Sequence, residues 1–179
     1  MKFQPSHRRT VVVFCCGLIL LVLARQANHG LSSYGISLWF GGLLVAFPAL
    51  RLAPQQGFNA CFLLGLLLDS VSPFVFGLHA FLFSGAHLVI VRIRNRINAE
   101  EPVIATVVAL ITNLALFVIL SFLALGRAPH ASISGMRLLS DLLLSQIAIV
   151  LLAGWFFALQ ERALALVRVR IVDEATSSF

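Results

Sequence analysis

Charge is what this sequence has least of. Acidic and basic residues together make up 11% of its 179 residues, where a soluble domain carries roughly 25%. A chain so poor in charge cannot cover itself for water, and no water-soluble domain stands on either side of its apolar runs. Cysteine is also scarce. Cys15, Cys16 and Cys61 all lie inside apolar runs without C-x-x-C spacing, so they read as small membrane-buried side chains, not as a disulfide framework or a metal site. The sequence holds no G-x-S-x-G or H-E-x-x-H signature. It has no low-complexity segment and no internal repeat of roughly 20–50 residues. These absences leave no cofactor or metal to expect.

What fills the chain is apolar sequence: 60% of residues are hydrophobic and the mean hydropathy is +0.99. Six runs stand out, over residues 10–24, 34–50, 56–71, 74–91, 102–125 and 138–159. About 20 helical residues cross a bilayer core, so the fifth and sixth runs are the clearest spans. The third is short and contains Asp69, which leaves a re-entrant or broken helix open. The first run resembles a signal peptide, but Ala24-Arg25-Gln26-Ala27 lacks the small-residue cleavage spacing, and a retained anchor helix is expected.

The net charge is +6, yet the basic residues sit between apolar runs and not on one face of a domain. That placement suits membrane orientation and anionic lipid headgroups, and argues against nucleic acid. If all six runs cross, ten of the thirteen lysines and arginines fall on the side of both chain ends, among them Arg92, Arg94 and Arg96 of a basic turn. Only Arg25, Arg127 and Arg137 fall on the other. The positive-inside rule then puts both ends in the cytoplasm. The expected fold is an all-α polytopic bundle of about six transmembrane helices over residues 1–160, followed by a short basic tail, 161–179. Asn98 is expected to cap the fifth helix, with Glu100, Glu101 and Pro102 in its first turn. Past Leu159 a mixed arginine and apolar stretch is expected to continue as a helix along the membrane surface.

The third run carries the most pattern. Gly57, Cys61, Gly65 and Asp69 recur every four residues and share one helix face. Small stripes let helices approach closely in lipid. Ser33, Ser37 and Gly41 predict a similar stripe on the second. The eight Leu, Phe and Val residues from Phe58 to Val71 favour insertion by about 2.4–4.8 kcal/mol, against about 2.5–3.5 kcal/mol for an aspartate at a helix centre. Asp69 can therefore be retained, provided it faces protein or water. His79 and His87 read as hydrogen-bonded packing residues, Asn113 as a cross-helix hydrogen-bonder, and Asp141 as a partner for Arg137 one turn earlier.

Gly65-Leu-Leu-Leu-Asp69, the turn Ser-Val-Ser-Pro-Phe-Val-Phe, then Gly77-Leu-His79-Ala80 and the basic Arg92-Ile-Arg94-Asn-Arg96 resemble the signature of the rod shape-determining protein MreD family. The likeness covers about a quarter of the chain; elsewhere it is one of hydropathy and size. Pro73 in the turn is a departure. The resemblance implies a non-enzymatic inner-membrane subunit of the bacterial cell-elongation machinery. It would bind the bitopic protein MreC and work with actin-like MreB filaments and peptidoglycan synthases, with Gly65, Asp69, Gly77 and His79 as signature residues facing a partner. Two other readings compete. A vitamin-type transporter subunit would converge Asp69, His79, Arg137 and Asp141 on an outer site. An intramembrane aspartic protease would need Asp69 and Asp141 close enough to share a proton.

Overall fold

A computed structural model describes residues 5–96, 101–127 and 135–176. It contains six α-helices: α1 (Pro5–Leu31), α2 (Gly41–Arg51), α3 (Pro54–Asp69), α4 (Leu78–Ile93), α5 (Pro102–Arg127) and α6 (Gly135–Thr176). Single 3-10 turns follow α1 and α4, and no strand occurs among the described residues. Three helices are long and apolar enough to cross a membrane, over Arg8–Tyr34, Pro102–Gly126 and Gly135–Leu166. The other three are shorter. The chain is an integral membrane helix bundle.

α2 lies at the centre. Every residue from Gly41 to Leu50 is buried, so this helix is surrounded by protein on all sides. α5 packs on it most closely, and α3, α4 and α6 complete the enclosure. Leu43, Val45, Phe47, Leu64, Phe83, Ile149 and Phe156 form the densest part of the core. α1 lies outside, against α3 and α6. Outward faces carry Val11, Phe81, Ile111, Phe122 and Leu151 in the open, as lipid-facing helices should.

Contacts sort the helix ends into two groups. At one end, Thr10 of α1 donates to the Gln56 carbonyl of α3. Arg51, closing α2, pairs with Glu161 of α6 at 3.1 Å. Arg94, after α4, donates to the carbonyls of Ala49 and Leu52 at 3.1 and 2.8 Å. At the other end, α1 reaches the irregular segment 36–40 through Asn28, and the start of α6 reaches it through Asp141.

Three expectations need correction. The second run is not one helix. Residues 36–40 are irregular, and only Gly41–Arg51 is helical. Glycines flank that segment, three of its five residues (Ile36, Trp39 and Phe40) are β-branched or aromatic, and neighbouring helices supply the hydrogen bonds that helix would otherwise provide. The stripe Ser33, Ser37, Gly41 is therefore broken over a 3-10 turn, an irregular stretch and a helix start. Asp141 makes no ion pair with Arg137; it is buried and accepts from Ser37. The third run, by contrast, is a continuous helix to Asp69, with no break within it. α5 starts at Pro102, the position where proline costs no hydrogen bond; Asn98 and Glu100 lie outside the described residues. α6 runs unbroken past Leu159 to Thr176.

Candidate functional site

The conspicuous polar site is the corner joining α3 to α4. Gly77 precedes α4 with a left-handed φ of +96°, a conformation glycine adopts at little cost. Having no side chain, it cannot cap the helix it opens. Asp69, the last residue of α3, does so from the preceding helix. Its Oδ2 accepts the N–H groups of Gly77 and Ala80 at 3.0 and 3.1 Å. Its Oδ1 accepts the N–H of His79 at 2.9 Å and meets His79 Nδ1 at 2.7 Å. An ionised carboxylate has about four acceptor sites, and here all four have a donor. The first-turn amides of a helix lack partners within it and favour an anion.

The other signature residues serve the same corner. A Cβ on Gly65 would collide with the Ala80 backbone, so glycine at 65 and alanine at 80 let α3 and α4 close together. His79 is buried among Trp39, Phe74 and Phe83, with ring centroids 5.6–6.4 Å away. Beyond the corner, Val71, Val75 and Phe76 are exposed.

One turn and more toward the other end, the same two helices are held by His87. Its Nε2 faces the Pro54 carbonyl at 3.0 Å, and a carbonyl only accepts, so Nε2 carries the hydrogen. Nδ1 is left to accept weakly from the Cys61 thiol at 3.8 Å. Gly57 gives this imidazole room: a Cβ there would strike His87 and the Pro48 carbonyl. All four residues of the third-run stripe are thus buried in helix contacts.

A second polar cluster holds the irregular segment 36–40. Ser37 N–H donates to Asp141 Oδ1 at 2.9 Å. Both backbone groups of Leu38 bond to the Asn28 amide, at 2.7 and 2.9 Å. Trp39 N–H donates to Ser145 Oγ at 2.9 Å, and Ser145 donates back to the Asp141 carbonyl at 2.6 Å. Asn113 Oδ1 accepts the Gly42 N–H at 3.1 Å. Above this segment opens a cavity of about 710 Å³ between α1, α3, α5 and α6.

Asp69 and Asp141 therefore serve different segments, and each is committed to backbone N–H groups; no hydrogen bond links them. Among the described residues no group of three His, Cys, Asp or Glu could hold a metal. Of the basic turn, Arg94 is half-buried against α2, while Arg92 and Arg96 are exposed. Sequence reasoning missed Asn28, Trp39 and Ser145. The one available signal was the pair Gly41-Gly42 inside an apolar run, where backbone rather than side chain needs the space.

No curated protein and no solved structure matches the chain. The family model for the rod shape-determining protein MreD matches residues 8–163. That span takes in both clusters, α2 to α5 and most of α1 and α6, well beyond the α3–α4 corner that first resembled the family, and so the chain belongs to the rod shape-determining MreD family.

Proposed function

We propose that the protein is a non-enzymatic scaffold of the rod-shape machinery in the bacterial inner membrane, crossing six times with both ends in the cytoplasm, and that it binds an MreC-like bitopic partner. The observation that carries this reading is the use made of its buried polar groups. Asp69, Asn28, Asp141 and Ser145 all bind backbone, and the His79 imidazole is held against the Asp69 carboxylate, which stiffens a bundle and commits these groups to structure.

Topology follows from the helix ends. Arg51, Arg94 and Arg162 gather at the end that also holds Thr10, so that end is cytoplasmic by the positive-inside rule. α3 and α4 have 16 residues each, about 24 Å of helix against a hydrocarbon core of about 30 Å. The turn of residues 70–77 then covers the remaining distance of about 6 Å to the outer edge, where its exposed Val71, Val75 and Phe76 meet the interface or a partner. Gly65, Asp69, Gly77 and His79 act on a partner by fixing that corner.

Co-purification tests the reading. The full chain, tagged and extracted in mild detergent, is expected to bring down a single-span coiled-coil membrane protein, with MreB filaments and peptidoglycan synthases recovered through it. Recovery of the chain alone, folded but without such a partner, would remove the basis for the proposal.

A further inference from the structure

The cavity above segment 36–40 is absorbed by no part of the scaffold reading. It is walled by α1, α3, α5 and α6, and its floor is Ser37–Gly41 with the Trp39 ring. Leu21, Leu68, Phe117 and Leu120 make its walls apolar. Along α1 it runs from Leu18 to Asn28, about 15 Å of helix, which matches one leaflet of about 15 Å. Water is a poor occupant of apolar walls.

Charge at the mouth is uneven. Arg25 lines the cavity, is exposed, and makes no ion pair among the described residues. Among the described residues Asp141 is the only acid lining it, and that carboxylate is buried and accepts from Ser37. Among the described residues a ligand entering here meets the Arg25 cation at the rim and a mostly apolar lining, with His79 and Ser121 among its few polar side chains. We propose that the cavity is a binding site for an anionic phospholipid, one acyl chain inserted between the helices and the phosphate held at Arg25. An acyl chain gains little by leaving one apolar medium for another. Selectivity must then come from the headgroup, and Arg25 supplies it. The site does not depend on the partner reading.

Photolabelling tests this. The full chain is placed in nanodiscs containing phosphatidylglycerol or phosphatidylcholine, each carrying a diazirine on one acyl chain. Adducts from the phosphatidylglycerol probe are expected on Leu21, Phe117 and Leu120, exceeding those from the phosphatidylcholine probe about fivefold, the contribution of one arginine near an anionic headgroup. Arg25→Gln should level the two probes while adducts persist. Leu120→Trp, which narrows the cavity, should reduce the adducts on Leu21 and Phe117 and leave those on the lipid-facing Ile19 and Val150. Circular dichroism and size-exclusion profiles identify variants that keep the fold, and Leu21→Trp is the second filling variant. Equal labelling by both probes in the unaltered chain, or adducts at Leu120 no denser than at Val150, would overturn the proposal. So would recovery of a protein helix in the cavity.

Discussion

Asp69 is the residue on which the α3–α4 corner turns. Its removal leaves three fixed backbone N–H groups and one imidazole without an acceptor. Each such buried group costs about 1–3 kcal/mol. Asp69→Ala is therefore expected to lower stability by several kcal/mol, on the order of the full stability of a small domain. Asp69→Asn keeps one acceptor oxygen and turns an NH₂ toward donors, so it should fall between alanine and the unaltered chain. Thermal unfolding in detergent should give that order. Asparagine equal to aspartate would mean that the second oxygen does nothing. Gly65 on α3 and Gly85 on α4 make a sharper pair. A methyl at Gly65 meets the Ala80 backbone, whereas at Gly85 it meets nothing within 4 Å. Gly65→Ala should cost about 1–3 kcal/mol through overpacking. Gly85→Ala should be neutral or stabilise by up to about 1 kcal/mol through helix propensity. Unfolding midpoints of the two variants, measured side by side, check the contrast.

At the scale of elements, the question is how a helix of 11 residues stands at the centre of a membrane bundle. Its ends are held by side chains of other helices: Asn113 on the first turn and Arg94 on the last carbonyls. Charged hydrogen bonds of this kind contribute about 1.5–3 kcal/mol. Arg94→Ala is expected to destabilise by about that amount, and Arg96→Ala, two residues on and exposed, by less than about 0.5 kcal/mol. Equal losses in unfolding midpoint for the two would contradict this capping role. This is also where the sequence was least legible. The third-run stripe could be read, because a four-residue period maps directly onto one helix face. The segment 36–40 could not, because its conformation depends on Asn28, Asp141 and Ser145, and their meeting is a tertiary event with no period. Asp141 was misread for the same reason: a helical spacing from Arg137 says which face it shares, not that a backbone N–H from another segment will claim it.

For the whole molecule, the sequence already showed the class, since a chain with so little charge and so much apolar sequence has one solvent available to it. The family likeness was visible at one corner and extends along nearly the whole chain. The signature spacing makes physical sense as a unit: Gly65 and Ala80 set the approach, Gly77 the turn, and Asp69 and His79 the cap. If the bundle is arranged as proposed, a cysteine introduced at Phe76 should react with a membrane-impermeant maleimide added to intact spheroplasts. One introduced at Arg96 should react only after the membrane is opened. The reverse pattern would invert the topology.

The central claim is that a pinned corner presents an apolar turn to a bitopic partner. Its most direct measurement is site-specific photo-crosslinking in living cells, with a photoreactive residue at Phe76 or at the lipid-facing Val150. Crosslinks from Phe76 to a single-span coiled-coil protein, lost when Asp69 is also changed to alanine, are the expected result. A Phe76 probe that captures only lipid, while Val150 captures the partner, would contradict it.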